Sequence, residues 1–266
     1  MSGAALPAGW SGWVEPRAAL DVAACVAASE PGRGRTSRHA RTVAVDTAAG
    51  RVFVKRYPPP DGPRARRAFR MGRALAAAGF GAPSPLVVAE RGGEGLLVTR
   101  DTGGEPLEQA VARRARAGKR TLLRRLGAEV GRLHRAGFVH GDLVPPNLRV
   151  RDDAFVFLDN DRTRRSRLLV AWGGRRNLVQ LGRLVVPGVT LTDRARVLDA
   201  YVRARGWSRA RHRRLARWLV AKTTARRCAI DRIPAPVAQR AGFRELMRSG
   251  GPFDPARGAA SAERPA

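Results

Sequence analysis

The segment "FVHGDLVPPNLRV", Phe138 to Val150, sets a His, an Asp and an Asn between two apolar runs. Gly-Asp is an ordinary turn pair and a histidine beside it is more often a satisfied core residue than a reacting one, so His140, Asp142 and Asn147 carry little alone. Two further features give them weight. Asp159 ends the next apolar run in "FVFLDNDRT", with Asp161 close behind, and Lys55 stands earlier in "VFVKRY". A carboxylate that directs an attacking hydroxyl, an amide and a second carboxylate that hold Mg²⁺ against phosphates, and an ammonium that reaches those phosphates form the set that phosphoryl transfer requires.

Lys55 is conspicuous by its chemistry. Only Lys55, Lys119 and Lys222 are lysines among 51 basic residues. Most lysines are solvated, and a strand end is an ordinary place for one. A chain that otherwise uses Arg is expected to keep Lys where a compact ammonium is needed and a planar fork would not serve. Asp159 and Asp161 also suit strand-end turns, and His140 reads as a core histidine that orients its loop.

The elements that must position these residues are legible by period. "RTVAVDTAAGRVFVKRY" alternates on either side of a Gly-containing turn and predicts a hairpin over Arg41 to Tyr57. After the break "PPPDGP", "RARRAFRMGRALAAAGF" predicts an Arg-rich amphipathic helix with Ala65, Phe69, Gly72 and Leu75 toward the core. "PLVVAE" and "GLLVTR" follow as strands. Beyond Arg100 the pattern turns helical, with Leu122, Leu126, Val130 and Leu133 on one face of "TLLRRLGAEVGRLHRAGF". Two short strands, "NLRV" and "AFVFLD", flank the turn "RDD", and the remainder is mostly helical.

That order, a Lys-bearing sheet, a helix, then His-x-Asp, Asn and Asp in a helical region, predicts an α+β, bilobal protein-kinase-like fold. "HGDLVPPN" fits the catalytic-loop spacing H-x-D-x-x-x-x-N, stiffened by Pro145 and Pro146. The predicted parts are a small antiparallel-sheet lobe with one helix over 1–100, a mainly helical lobe with the catalytic loop over 101–249, and a disordered tail over 250–266.

Composition limits the partners. The 266 residues suffice for a substantial core, and 44% hydrophobic content argues against wholesale disorder. Cys25 and Cys228 are the only cysteines, which is neither a disulfide framework nor a metal cluster, so a reducing cytosol is expected. The apolar stretch "AALDVAACVAA" is short and interrupted by Asp21, so neither a signal peptide nor a membrane span is predicted. A net charge of +29 favours anionic partners. With 6% aromatics and no zinc spacing or RNP-like strand, a nucleic-acid partner is not expected. Arg66, Arg70 and Arg73 on one helix, and "SRARHRRLARWLVAKTTARR" with Leu215, Trp218 and Leu219 on its apolar side, read singly as solvated faces; together they predict peripheral attachment to an anionic membrane surface.

"VFVKRY", "RAFRMGRALAAAGFGAPSPL", "EVGRLHRAGFVHGDLVPPNLRV", "FVFLDNDRTRR" and "RRNLVQLGRLVVPGVT" resemble the bacterial lipopolysaccharide core kinases, the heptose and 3-deoxy-D-manno-octulosonic acid (Kdo) kinase family, over Arg41 to Arg205. The resemblance implies Asp142 as catalytic base, Asn147 and Asp159 as Mg²⁺ ligands and Lys55 as the phosphate contact, with His140 and Asp161 in support. It implies ATP as donor and, as acceptor, a sugar hydroxyl of an anionic glycolipid, the lipid A-core, at the cytoplasmic face of the inner membrane. Aminoglycoside-type phosphotransferases share His-Gly-Asp and the later Asp, so a small-molecule phosphotransferase of the aminoglycoside or choline type is the alternative. Those sites usually bind cationic acceptors with acidic residues, of which the helical lobe is short, and this favours an anionic acceptor.

The pattern departs from the wider kinase fold in three places. The helix that would supply a Glu to Lys55 reads Arg67-Ala68-Phe69, and no acid occurs from Pro63 to Val88. Lys55 must then be oriented by another group, with Asp159 the natural candidate, or activity is weakened; Ala68→Glu would be tolerated or helpful if the helix lies at the usual distance. Asn160-Asp161 stands where protein kinases have Phe-Gly, so switching of that motif is not expected. The loop "PGRGRTSRHART" lacks the usual Gly spacing, leaving Ser37 and backbone amides to cover the phosphates.

Overall fold

The computed structural model describes residues 5–32, 34–48, 50–184, 186, 188–234, 236–237 and 246–247. The stretch 250–266, read from sequence as a tail, lies outside them. In chain order the elements are β1 (Ser11–Val14), α1 (Val22–Ala28), β2 (Arg35–Thr36), β3 (Arg41–Thr47), β4 (Gly50–Tyr57), α2 (Pro63–Ala77), β5 (Pro85–Arg91) and β6 (Glu94–Arg100). There follow β7 (Glu105–Pro106), α3 (Leu107–Arg113), α4 (Arg116–Arg135), β8 (Phe138–Val139), β9 (Leu148–Arg151), β10 (Ala154–Phe157), β11 (Arg164–Arg165), α5 (Arg167–Leu181), α6 (Leu191–Ala204) and α7 (Arg209–Asp231). The chain divides into two compact units: Met1–Gly104 with His140–Asp142 and Ala154–Arg165, and Glu105–Val139 with Leu143–Asp153 and Ser166–Ala266.

The first unit is built on a six-stranded sheet ordered β1-β5-β6-β4-β3-β2, antiparallel at each pairing. Successive side chains point to opposite faces, so one strand serves two cores. Val52 and Val54 of β4, Val87 and Ala89 of β5, and Leu96 and Val98 of β6 bury one face with Val22, Cys25 and Val26 of α1. Burial pushes the Cys25 thiol up to about 11, so it behaves as an inert core group. Tyr57, Val88 and Leu97 bury the opposite face with Ala65 and Ala68 of α2. Lys55 alternates with Val54 and pairs in register with Leu97, which places it on the α2 face.

α2 corrects the sequence reading in one respect. Its buried positions are Ala65, Ala68, Gly72 and Leu75, and Phe69 is only half-buried, packed against Trp13 with ring centroids 5.0 Å apart. The small Ala68 is buried in the layer with Tyr57, Val88 and Leu97, and the Phe69 ring packs half-buried against the same layer.

The second unit is a helical packing around α4. Leu122, Leu126, Val130 and Leu133 are all buried, as their spacing predicts, together with Leu123 and His134. A Cβ at Gly127 would lie 2.0 Å from the Val197 carbonyl oxygen of α6, so glycine sets how closely α4 and α6 approach. His134 ties three helices, with Nδ1 3.1 Å from the Tyr201 hydroxyl and Nε2 3.1 Å from Asn177 Oδ1. Neither this His nor its partners carries an element of the predicted site.

Candidate active site

Within the first unit the sheet's α2 face and the turn after β10 meet at Lys55. Its ammonium is paired with the Asp159 carboxylate, stands 3.9 Å from Asp161 Oδ2, and lies 5.0 Å from the centre of the Tyr57 ring. Asp159 occupies the left-handed region, φ 57° and ψ 56°, which Asp tolerates better than most residues and which ends β10 abruptly. A 3₁₀ turn, Asn160–Arg162, follows. The turn is fixed from inside: buried Asn160 donates from Nδ2 to the Phe157 carbonyl at 2.8 Å and accepts from Thr163 Oγ1 at 3.3 Å. Asn160 thus occupies the Phe-Gly position of protein kinases as an anchor.

Asp161 is nearly buried, with 6% side-chain exposure. Burial pushes its carboxyl up, reinforced by Asp159 and opposed by Lys55 and Arg64. Arg64, from the first turn of α2, reaches Asp161 Oδ2 at 3.5 Å and Asp61 Oδ1 at 2.6 Å, and His39 Nδ1 lies 2.9 Å from Asp61 Oδ2. The helix expected from the protein-kinase fold to supply an acid therefore supplies a cation here. The acid that holds Lys55 comes instead from the turn after β10. Arg64 escaped the sequence reading because one Arg in an Arg-rich helix carries no distinguishing signal. Tyr57 completes the floor. Its buried hydroxyl has no hydrogen-bond partner among the described residues, and burial, with Asp161 and Asp159 nearby, holds the phenol protonated.

The expectation that Ala68→Glu is tolerated does not survive this geometry. Ala68 is 6% exposed among Ala40, Tyr57, Ala65, Val88 and Leu97, and Lys55 already has its carboxylate. A Glu side chain would desolvate a second acid in an apolar layer, so Ala68→Glu is expected to cost about 3 kcal/mol or more in urea unfolding.

The loop bearing Asp142 belongs to the same unit. His140 is buried and donates from Nε2 to the Leu158 carbonyl at 2.8 Å, while its Nδ1 accepts the Asp142 N–H at 3.2 Å. Burial lowers its pKa below the ordinary histidine range, which keeps the ring neutral and able to donate from one nitrogen and accept on the other. One ring therefore connects the residue before Asp159 to the backbone of Asp142. Gly141 between them is required by space: a Cβ there would lie 2.1 Å from Arg162 Cβ and 2.5 Å from Arg162 O.

The remaining predicted residues are placed differently. Ser37 Oγ donates to the Ala40 carbonyl at 2.8 Å and accepts the Ala40 N–H at 3.1 Å, which closes the turn between β2 and β3. Arg33, between Gly32 and Gly34 in the loop before β2, lies outside the described residues. Asn147 belongs to the second unit, where it ends the 3₁₀ turn Pro145–Asn147 and donates its backbone N–H to Val144 O at 3.0 Å. The structure thus brings Lys55, Asp159 and Asp161 into contact, ties Asp142 to their turn through His140, and holds Asn147 on a proline-stiffened turn of its own unit.

Known proteins resemble the chain in parts. A solved aminoglycoside-3'-phosphotransferase of type VIII superposes with a TM-score of 0.49 at 17% identity, over 70% of this chain and 94% of that one. A probable bifunctional tRNA threonylcarbamoyladenosine biosynthesis protein of Methanothermobacter thermautotrophicus is 34% identical over 83 residues, 31% of this chain and 14% of that protein. The KEOPS complex subunit Bud32 of Pyrococcus abyssi is 31% identical over 97 residues, 36% of this chain and 44% of that subunit. The chain spans less than half the length of either curated relative. Residues 33–201 match the lipopolysaccharide kinase (Kdo/WaaP) family, and this stretch contains Lys55, His140, Asp142, Asn147 and Asp159. With well over half its length inside that match, the chain belongs to the lipopolysaccharide kinase (Kdo/WaaP) family.

Proposed function

We propose that the protein transfers the γ-phosphate of ATP to a sugar hydroxyl of the lipopolysaccharide inner core, on Kdo or heptose, at the cytoplasmic face of the inner membrane. The observation that carries this reading is the pairing of Lys55 with Asp159, beside Asp161, in a turn that His140 links to Asp142. Two carboxylates already gather around one cation there, and oxygen donors of this kind suit Mg²⁺. Asp159 would hold the ion, and a bound Mg²⁺ would neutralise the charge that develops on the phosphates. Lys55 would then exchange its carboxylate for phosphate oxygens, Arg64 would retain Asp161, and Asp142 would orient the acceptor hydroxyl in line and take its proton.

The nature of the acceptor is supported by the pairing of most acids among the described residues of the helical unit. Glu105 binds Arg113 and Arg114, Asp153 binds Arg114 and Arg125, Glu129 binds Arg132, Asp193 binds Arg196, and Asp199 binds Arg203. Carboxylates neutralised in this way do not hold a cationic aminoglycoside or choline, whereas an anionic glycolipid meets a net charge of +29. No helix among the described residues is long and apolar enough to cross a membrane. The test is phosphate transfer from labelled ATP to purified core glycolipids, aminoglycosides and a generic protein. Label is expected in the core glycolipids alone. Label in the aminoglycosides instead would establish the small-molecule reading.

A further inference from the structure

A helix on a protein surface is expected to be apolar on one side and polar on the other. α5 breaks that rule. Its inner side buries Val170, Gly173, Gly174, Leu178 and Leu181. Its outer side, over the first two turns, consists of Leu168 at 88% exposure, Leu169 at 43% and Trp172 at 76%. Leu168 and Trp172 are four residues apart and so lie one above the other on the same stripe. Single exposed apolar residues need no explanation, but two leucines and a tryptophan adjoining on one helix end form a patch.

The surroundings of the patch are cationic. Arg167 precedes it, and Arg175 and Arg176 follow it one turn on, all exposed. α5 packs beside α7, where the Arg175 guanidinium stands 5.6 Å over the Trp218 ring. α7 continues the charge with exposed Arg213, Arg214 and Arg217, and Val220 beside them is 42% exposed. Neither α5 nor α7 up to Ile230 contains an acid. The arginines of α2 are in a different condition: Arg66 pairs with Glu90 at 2.6 Å, and Arg73 stacks over Trp13 and Phe69. Arg213, Arg214 and Arg217 of α7 instead stand exposed beside a helix, α5, that carries no acid.

We infer that the outer side of α5, with the basic face of α7, is a docking surface for an anionic lipid bilayer, in which Leu168, Leu169 and Trp172 enter the headgroup boundary and the arginines meet lipid phosphates. Charge complementarity selects this occupant. An acyl–headgroup boundary is the partner that takes leucine side chains and guanidinium groups side by side, with tryptophan at the level between them. A nucleic acid would reward the arginines and leave Leu168 in water. The inference deepens the reading given above, because it names the surface on which the enzyme would meet a lipid-anchored acceptor.

The test uses the full chain and vesicles of phosphatidylcholine, alone or mixed in equal parts with phosphatidylglycerol. The protein is expected to co-sediment with the mixed vesicles and to be released by salt. Leu168→Ser with Trp172→Ser is expected to weaken that partition about tenfold or more, from lost apolar insertion. Arg213→Glu with Arg217→Glu is expected to weaken it by at least about tenfold, from lost attraction to anionic lipid. Trp172 fluorescence should be quenched by brominated acyl chains, and the quenched component should be missing in Trp172→Phe, which keeps binding. Phosphate transfer to a water-soluble, deacylated core oligosaccharide should be unchanged in all these variants. Wild-type partition by the Leu168/Trp172 variant, equal binding to phosphatidylcholine alone, or no vesicle binding would each overturn the inference. So would duplex DNA binding that depends on Leu168 and Trp172. If no acceptor is phosphorylated while vesicle binding still depends on Leu168 and Trp172, the acceptor reading falls and the docking surface stands.

Discussion

Asp142→Asn is expected to leave Mg·ATP binding close to that of the wild type and to lower single-turnover phosphate transfer by roughly two to four orders of magnitude, the scale of a general base and its positioning. The asymmetry follows from how Asp142 is held. Its backbone N–H donates to His140 Nδ1, and His140 in turn donates to the Leu158 carbonyl, so the ring and the main chain hold the loop's conformation. Exchanging carboxylate for amide keeps size and leaves these bonds in place. What is lost, in the proposed mechanism, is the ability to accept the hydroxyl proton as the phosphoryl group arrives. Equilibrium Mg·ATP binding and single-turnover transfer, measured on the same preparation, separate the two quantities. A variant that binds Mg·ATP far more weakly would show that Asp142 is a metal ligand and that the base lies elsewhere.

The parts of this site that were legible in the sequence are those where one residue type answers one physical demand. The hairpin of β3 and β4 announced itself because alternation survives on both sides of Gly50, and Lys55 stood out as a lysine in a chain that otherwise uses arginine. His140 could be read as a neutral core clamp because a histidine between apolar runs usually is one. Arg64 and the outer side of α5 were not legible, for a shared reason. In a chain with 51 basic residues, the arginine that grips Asp161 looks like its neighbours, and only the fold brings Asp161 to it. Leu168 and Trp172 look like core residues by type, and only packing reveals that α5 already has its buried side. Ala68 shows the converse: the absence of a Glu was visible, but the apolar layer that replaces it was not.

Asp159→Asn is expected to fail differently from Asp142→Asn. Asp159 is the partner of the Lys55 ammonium, with Asp161 3.9 Å from the same nitrogen, so the substitution removes the charge that would hold Mg²⁺ in the proposed mechanism and releases Lys55 together. Mg·ATP affinity is expected to fall roughly 10- to 100-fold, and raised Mg²⁺ should recover part of it, since mass action replaces what the missing charge supplied. Lys55→Arg is the companion. It conserves charge, but the guanidinium must fit where a point ammonium now stands over the Tyr57 ring, and its planar fork cannot follow phosphate oxygens in that confined place. Transfer in Lys55→Arg is expected to drop by about 100-fold, the scale of losing one preorganised charge contact to the reacting phosphates, without rescue by Mg²⁺. The three variants thus have three signatures: transfer lost with binding kept for Asp142, binding lost with rescue by Mg²⁺ for Asp159, and transfer lost without that rescue for Lys55. If Asp159→Asn leaves Mg·ATP affinity intact while Asp142→Asn abolishes it, the two carboxylates have exchanged roles, and the pairing of Lys55 with Asp159 is a structural salt bridge and not the resting state of a nucleotide site.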